Sequence, residues 1–334
     1  MANYQCVKLR FAAPLHLGRG VSETYDTGSR LLHSDTISSA IASARVQLFG
    51  DKNLKQFLES FSVSSAFPFY KGSLFFPKPM VKLNFSIENE DETRLGKQLK
   101  KLEYIEKTLF EKLLSGNKVQ VKNEQFSPSG KYVWANKASN TEFITAEVQQ
   151  RVTVPRDGQG ESKPYYVERL FFDADAGLFF LLDCVDNQIF REFELALKYL
   201  EDSGIGTDRS VGNGFFKAEI GTLEFALPGK AEYMMNLSLF CPTKEELPGL
   251  MDGEPAYLLE KRGGFIAGAA NEQFRHLRKK SFYMFTEGSV FKANELQGKV
   301  LDIRPRWDDE KLHPVYRSGK PVGIPIVINQ EQPL

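Results

Sequence analysis

The chain has 334 residues, 42% of them hydrophobic and 26% charged, enough to bury a core over two modest domains or one enlarged one. Its 43 Lys and Arg balance 43 Asp and Glu, which excludes a histone-like basic binder and an acidic disordered tail and leaves local patches as the electrostatic clue. Cys6, Cys184 and Cys241 lie far apart with no C-x-x-C pair, so neither a zinc knuckle nor a secreted disulfide scaffold fits.

The first ten residues lack the apolar stretch of a signal peptide, and no run approaches the roughly 18 apolar residues of a membrane helix. These features predict a cytoplasmic protein with no metal and no cofactor. The 27 Phe point either to a strand-rich core or to stacking platforms.

Residues 5–12 alternate, with Val7, Leu9 and Phe11 on one side and Lys8 and Arg10 on the other, which predicts a strand with one buried face. A polar, Gly-rich loop runs from Pro14 to His33. Ser34 or Asp35 then offers an N-cap, and Ile37, Ile41, Ala44 and Leu48 recur at helical spacing until Gly50. The face bearing Ser38, Ser39, Ala42 and Ser43 is small enough to lie close against a sheet or another chain. Two short strands are expected within 66–77, around Lys71-Gly72. Glu88 to Glu92 reads as a solvated loop, and a single helix is expected to carry Leu95, Leu99, Leu102, Leu109 and Leu113 along one face.

Residues 146–170 read as a long hairpin turning at Pro155-Arg156-Asp157-Gly158-Gln159-Gly160; its distal part is polar and basic and must project. The apolar run Leu178 to Leu182 ends the next strand, and a helix follows with Ile189, Phe193, Ala196, Leu197 and Leu200 on one face. Gly-Ile-Gly-Thr-Asp-Arg-Ser-Val-Gly-Asn-Gly, residues 204–214, leads into a strand beginning Phe215-Phe216. The order is β-α-β-β-α-β, an α+β fold of the ferredoxin-like (RRM-like) kind with an insertion. From about residue 228 strands are expected at 232–240, 256–262, 281–285 and 299–304, with a hairpin at 315–328 and a helical turn near Glu272 to Arg278. Leu227-Pro228-Gly229 marks the expected boundary between domain 1–227 and a second, degenerate ferredoxin-like domain, 228–334.

The segment 204–214 carries the strongest chemical signal. Gly204, Gly206, Gly212 and Gly214 permit positive φ and close approach of another backbone, and successive amides in such a loop form an anion-binding concavity. Arg209 and Ser210 add a planar fork and a hydroxyl, both suited to phosphate. Dinucleotide and P-loop readings fail, because this loop follows a helix and opens a strand, and no Gly-Lys-Ser/Thr is present. The alternative is an elaborate helix-to-strand turn with Gly204 as its C-terminal glycine.

Pro14-Leu15-His16-Leu17-Gly18-Arg19-Gly20 and His33-Ser34-Asp35-Thr36 form a second cluster. The latter is either a phosphate site at a helix N-terminus or a plain N-cap. His16 is either a general base or a positioned hydrogen-bonding histidine. Three basic segments remain: Arg151 and Arg156 flanking the hairpin tip, Lys261-Arg262-Gly263-Gly264-Phe265, and Arg275, Arg278, Lys279 and Lys280 leading into Phe282-Tyr283. Cations interleaved with rings suit single-stranded nucleic acid.

With those residues in place, the chain resembles the RAMP proteins of CRISPR effector complexes, whose shared mark is a glycine-rich loop after the second helix of a ferredoxin-like fold. Within them it resembles the Csm-four family of type III-A complexes, through Leu-His-Leu-Gly-Arg-Gly (15–20), His-Ser-Asp-Thr-Ile (33–37), Arg-Gly-Gly-Phe-Ile (262–266), Tyr-Met-Phe-Thr-Glu-Gly-Ser-Val-Phe (283–291) and His-Pro-Val-Tyr-Arg-Ser-Gly-Lys-Pro (313–321).

The resemblance implies a non-catalytic subunit that caps the crRNA 5′ handle and docks the large cyclase-type subunit and the backbone RAMP subunit. It makes 146–170 a thumb that kinks the guide–target RNA duplex. It also implies RNA contacts by His16, Gly18, Arg19, Gly20, Ser34, Arg151, Arg156, Gly204, Gly206, Arg209, Ser210, Gly212, Gly214, Arg262, Tyr316 and Arg317. The backbone RAMP subunit has a cleaving aspartate after its first strand. Asp26 lies in the corresponding stretch here, but its surroundings depart from that pattern and cleavage is not transferred. Two rivals are a metal-independent endoribonuclease using His16 or His33, and a scaffold that meets only proteins.

Overall fold

Ten extended residues at the N-terminus set the frame of the N-terminal unit. In a computed structural model, residues 2–18, 28–88, 92–155, 161–266, 274, 276–306 and 312–328 are described. Strand β1 (Ala2–Phe11) leads to helix α1 (Ser34–Phe49), strand β2 (Phe67–Tyr70), strand β3 (Ala176–Asp183), helix α2 (Asn187–Ser203) and strand β4 (Phe216–Phe225). The sheet order is β4-β1-β3-β2, continued beyond β2 by three short strands at Ser73–Pro77, Tyr104–Glu106 and Tyr132–Val133. β1 is the centre of this arrangement. It pairs antiparallel with β4 from Ala2↔Phe225 to Phe11↔Phe216 and with β3 from Gln5↔Leu182 to Leu9↔Leu178.

Both faces of the sheet are covered, which explains the unbroken apolar run of β3. Side chains alternate across a strand. Leu178, Phe180 and Leu182 therefore pack with Val7 and Leu9 of β1, Ile37 and Ile41 of α1, and Phe193, Leu197 and Leu200 of α2. Phe179 and Leu181 face the other core, with Cys6, Phe67, Phe110, Phe225 and Met235. Most of the phenylalanines thus build a strand-rich core, with stacked and edge-on rings such as Phe76–Phe110 at 4.9 Å and Phe67–Phe179 at 6.1 Å.

The long helix expected from Leu95 to Leu113 is two helices, Glu92–Lys101 and Lys107–Leu114, parted by the strand Tyr104–Glu106. Helical spacing alone could not show this. Ile105 is fully buried, and its strand pairs antiparallel with Phe75–Pro77 and parallel with Tyr132–Val133, so tertiary pairing overrides the periodicity. Glu88 is exposed as expected, while 89–91 lie outside the described residues. The hairpin is observed with strands Ile144–Thr153 and Lys163–Phe172, in register from Phe172↔Ile144 to Lys163↔Thr153. Phe172 at its root stacks on Phe11 at 4.7 Å, whereas Val148, Val152 and Tyr166 further out are exposed. The tip, 156–160, lies outside the described residues.

Beyond residue 228 the strands are shorter than expected. Tyr233–Asn236 lies between Val290–Lys292 and Gly323–Ile326, Leu259–Arg262 pairs with Phe282–Phe285, and Val300–Asp302 pairs with Tyr316–Ser318. The hairpin expected at 315–328 does not form, because its two strands join different sheets: Tyr316–Ser318 and Gly323–Ile326. Much of the turn expected at 272–278 lies outside the described residues. Among those described, no helix is long and apolar enough to cross a membrane.

Candidate nucleic-acid interface

Helix α2 ends as the Gly204 N–H donates to Leu200 O (2.8 Å), and Gly204 turns the chain at φ 74°. Close approach does govern this loop, but its main object is the chain itself. A Cβ on Gly206 would lie 2.5 Å from the His16 carbonyl oxygen, and one on Gly214 1.9 Å from that of Ile205. The Thr207 N–H donates to His16 O (3.0 Å), the Gly214 N–H to Pro14 O (2.8 Å) and the Ile205 N–H to Gly214 O (3.0 Å).

The expectation that all four glycines leave room for a polyanion is corrected accordingly. Gly204 and Gly214 are buried, and the space at Gly206 is taken by the segment after β1. Gly212 is different: nothing lies within 4 Å of a Cβ placed there. Arg209 and Ser210 are exposed on a single turn of 3₁₀ helix, Arg209–Val211, with Gly212 exposed as its C-cap, and the Arg209 guanidinium makes one long contact, 3.5 Å, to Gly204 O.

His16 is 2% exposed and donates from Nδ1 to Glu168 O of the hairpin at 2.6 Å, so it is a positioned residue and not an open general base. The Glu168 carboxylate accepts from the Gly28 N–H (2.7 Å) and from Arg30 (3.0 Å), and Leu15 bridges to Leu170. One segment after β1 thus joins the hairpin root to the glycine loop. Gly18 is exposed at its end, beside Thr207. Arg19, Gly20, Asp26, Arg156 and Arg275 lie outside the described residues. Arg151 is half-buried on the hairpin.

The N-terminus of α1 is a junction between the two halves of the chain, where the sequence suggested a cap or a phosphate site. His33, not Ser34, is the N-cap position. Ser34 is buried: its N–H donates to Ser65 Oγ (2.8 Å), and its hydroxyl accepts from the Leu239 N–H (2.8 Å). Asp35 is wholly enclosed and takes a two-pronged contact from Arg262, Nε and Nη2 each at 2.9 Å, with Arg317 Nη1 also at 2.9 Å. The guanidinium groups of Arg262 and Arg317 therefore face a carboxylate of their own chain. Tyr316 is half-buried and packs against the helix-covered core. Burial alone would raise the Asp35 pKa; the charges of Arg317 and Arg262 outweigh it and hold the carboxyl well below its usual range.

A second pair reinforces the junction. His33 Nδ1 lies 2.8 Å from Glu287, and Ser65 Oγ also donates to that carboxylate. Burial opposes the imidazolium, but Glu287 overrides it and raises the His33 pKa. Burial likewise opposes the Glu287 carboxylate, and His33 and Ser65 override it and lower its pKa. The raised imidazole contributes stability that is complete below its unfolded pKa, about 6.5, and is lost as pH rises through the higher folded value. Urea unfolding of the full chain should therefore show stability falling from about pH 6.5 upward. Glu287→Gln, which keeps the shape and removes the charge, should flatten that decline.

Two of the basic segments meet. Lys261 pairs in register with Tyr283 and Arg262 with Phe282, while Phe265 bridges to Arg278, whose guanidinium sits 5.0 Å from the ring centroid. Sequence reasoning placed these segments in one class but could not show that they share a ladder. It also missed Asp35 as an anchor. Its only sequence signal was a carboxylate in the first turn of a helix, which equally suits a cap.

Residues 229–326 match the CRISPR Csm4 C-terminal domain. Along nearly its whole length the chain is similar to Csm4 proteins of CRISPR systems. It is 25% identical to the Csm4 protein of Methanocaldococcus jannaschii over 96% of each chain, and 25% identical to that of Mycobacterium tuberculosis over 87% of this chain and 88% of the other. In fold it matches a crystal structure of a Csm3–Csm4 subcomplex from a type III-A interference complex, with TM-score 0.65 and 20% identity over 96% and 99% of the two chains. It also matches a Csm1–Csm4 cassette in complex with pppApA, with TM-score 0.62 and 19% identity over 98% and 100%.

Proposed function

We propose that this Csm4-like chain is a non-catalytic RNA-binding subunit of a type III-A CRISPR effector complex. It grips the single-stranded crRNA 5′ handle and docks a large cyclase-type subunit and a backbone RAMP subunit; its structural relatives are the Csm4 chains of a Csm3–Csm4 subcomplex and a Csm1–Csm4 cassette. In this reading residues 1–227 form a ferredoxin-like domain whose thumb, 146–170, meets the guide–target duplex, and 228–334 form a second, degenerate one. One observation carries the proposal. The glycine loop, stitched to the segment after β1, holds Arg209, Ser210 and Gly212 out to solvent, and its Thr207 lies beside the exposed Gly18. Exposed guanidinium, hydroxyl and open glycine on one turn suit a phosphate backbone without reading its sequence.

Arg209→Glu should reduce the RNA content of the assembled complex at least tenfold, measured as phosphate per subunit, while the melting temperature of the free chain stays within about 2 °C, as for other surface changes. Unchanged RNA content would refute the reading.

A further inference from the structure

The hairpin has two unlike faces. Side chains alternate along each strand, and the register places Val148, Val152, Pro164 and Tyr166 on one side, all exposed, and Glu147, Gln149, Arg151, Lys163 and Arg169 on the other. Arg169 stands apart from its neighbours because it is only 7% exposed. Its guanidinium donates from Nη1 to Gln149 Oε1 at 3.1 Å. Nε and Nη2 are closed off from solvent and bond to nothing among the described residues.

Two carboxylates stand near it in the ladder. Glu168, the preceding residue, points to the opposite face and is held by the Gly28 N–H and Arg30. Glu147, directly across on the same face, is exposed and makes no ion pair with it. A guanidinium keeps its charge, so a buried cation is left with one neutral partner. The idle donors share one edge of the group. Nε and Nη2 together receive two oxygens of one anion, and it is with this edge that Arg262 holds Asp35, at 2.9 Å on each nitrogen.

The rest of the face selects the anion. At about 3.3 Å per residue, Arg151, opposite Tyr165, stands about 13 Å from Arg169 along the strand and Lys163 about 20 Å. A row of cations suits successive phosphates, whereas a single protein carboxylate would fill the fork and leave the row unmatched. We infer that the Nε/Nη2 edge of Arg169 is a clamp for a phosphate of the RNA backbone, the inner end of a track that Arg151 and Lys163 continue on the same face. This inference rests on the RNA-binding reading above and assigns the backbone to one face of the hairpin. One neutral hydrogen bond, to Gln149, holds the guanidinium inward, so turning it out to a phosphate exchanges that bond for two charge-assisted ones.

The test uses the assembled complex with labelled guide RNA, titrated with salt. Arg169→Met keeps the apolar stem and removes the charge. It should weaken retention about tenfold and lower the slope of log affinity against log salt by about 0.7, the value of one single-strand phosphate contact. Arg169→Lys restores a charge without the fork, and should recover the slope but not the full affinity. Arg151→Met should lower the slope by as much as Arg169→Met, and an unchanged slope there would overturn the track. The free Arg169→Met chain should melt no lower than the wild type, since the change removes a buried cation that has no charged partner.

An unchanged salt slope in Arg169→Met would overturn the inference, and so would a fall in melting temperature of more than about 4 °C, the mark of a structural guanidinium. Loss of assembly with the protein partners in a variant that melts normally would assign the edge to a partner's carboxylate and overturn it too. The arms separate two failures. If Arg209→Glu loses RNA while Arg169→Met and Arg151→Met do not, only the hairpin track falls; if none loses RNA, the underlying reading falls as well.

Discussion

Asp35→Ala should lower the unfolding free energy of the full chain by about 3 to 5 kcal/mol, the usual consequence of removing one partner from a buried ion cluster. The carboxylate is fully enclosed and holds guanidiniums from residues 227 and 282 positions away, so its loss leaves Arg262 and Arg317 buried against each other. A urea titration monitored by circular dichroism reads this directly, and a loss under about 1 kcal/mol would mean the junction contributes little. Because the Asp35 pKa is depressed on folding, its contribution is present above the unfolded value of about 4 and is lost as pH falls below it. The wild-type chain should therefore lose stability below about pH 4, and the variant should lose less over the same interval. Replacing all three charges together, as Asp35→Leu, Arg262→Met and Arg317→Met, should recover much of the loss, since an apolar cluster of similar volume carries no desolvation cost.

Gly214→Val should be about as damaging, by 3 to 5 kcal/mol, for a steric reason. Valine would have to hold a positive φ and would also drive its Cβ to 1.9 Å from the Ile205 carbonyl oxygen, so roughly equal strain and overpacking costs combine. Thermal melts should show a large fall for Gly214→Val. Gly212→Ala should show a fall of only about 1 kcal/mol, from its positive φ alone, because its Cβ enters open space. The two glycines then separate fold from function. Under the proposed reading Gly212→Ala leaves a folded chain with weakened RNA retention. Equal destabilisation by both changes would contradict the close packing seen at Gly214 and the open space at Gly212.

Much of the N-terminal unit was legible because its signals are local. The alternation of Val7 and Leu9, the helical recurrence of Ile37, Ile41 and Ala44, and the Lys71-Gly72 turn each report a period or a backbone requirement that neighbours in sequence enforce. The hairpin was legible for the same reason. The split of the helix near Ile105 was not, because a helical spacing of leucines persists across a segment that tertiary pairing draws into the sheet. The glycine loop was found correctly as a special segment, but its purpose was divided. Gly206 and Gly214 accommodate the chain's own backbone, while the turn at Arg209 to Gly212 is exposed.

Arg262 and Arg317 show the limit most clearly. In the sequence they are cations beside aromatics, in no way different from Lys261 or Arg278. Only the folded chain brings Asp35 to them, from 227 and 282 positions away. Periodicity and turn chemistry by themselves determined the elements and the special loop, since each depends on residues within a few positions. The tertiary structure alone decided which charges are neutralised at home and which remain for a ligand, because electrostatic pairing depends on distance in space and desolvation, neither of which a linear order records.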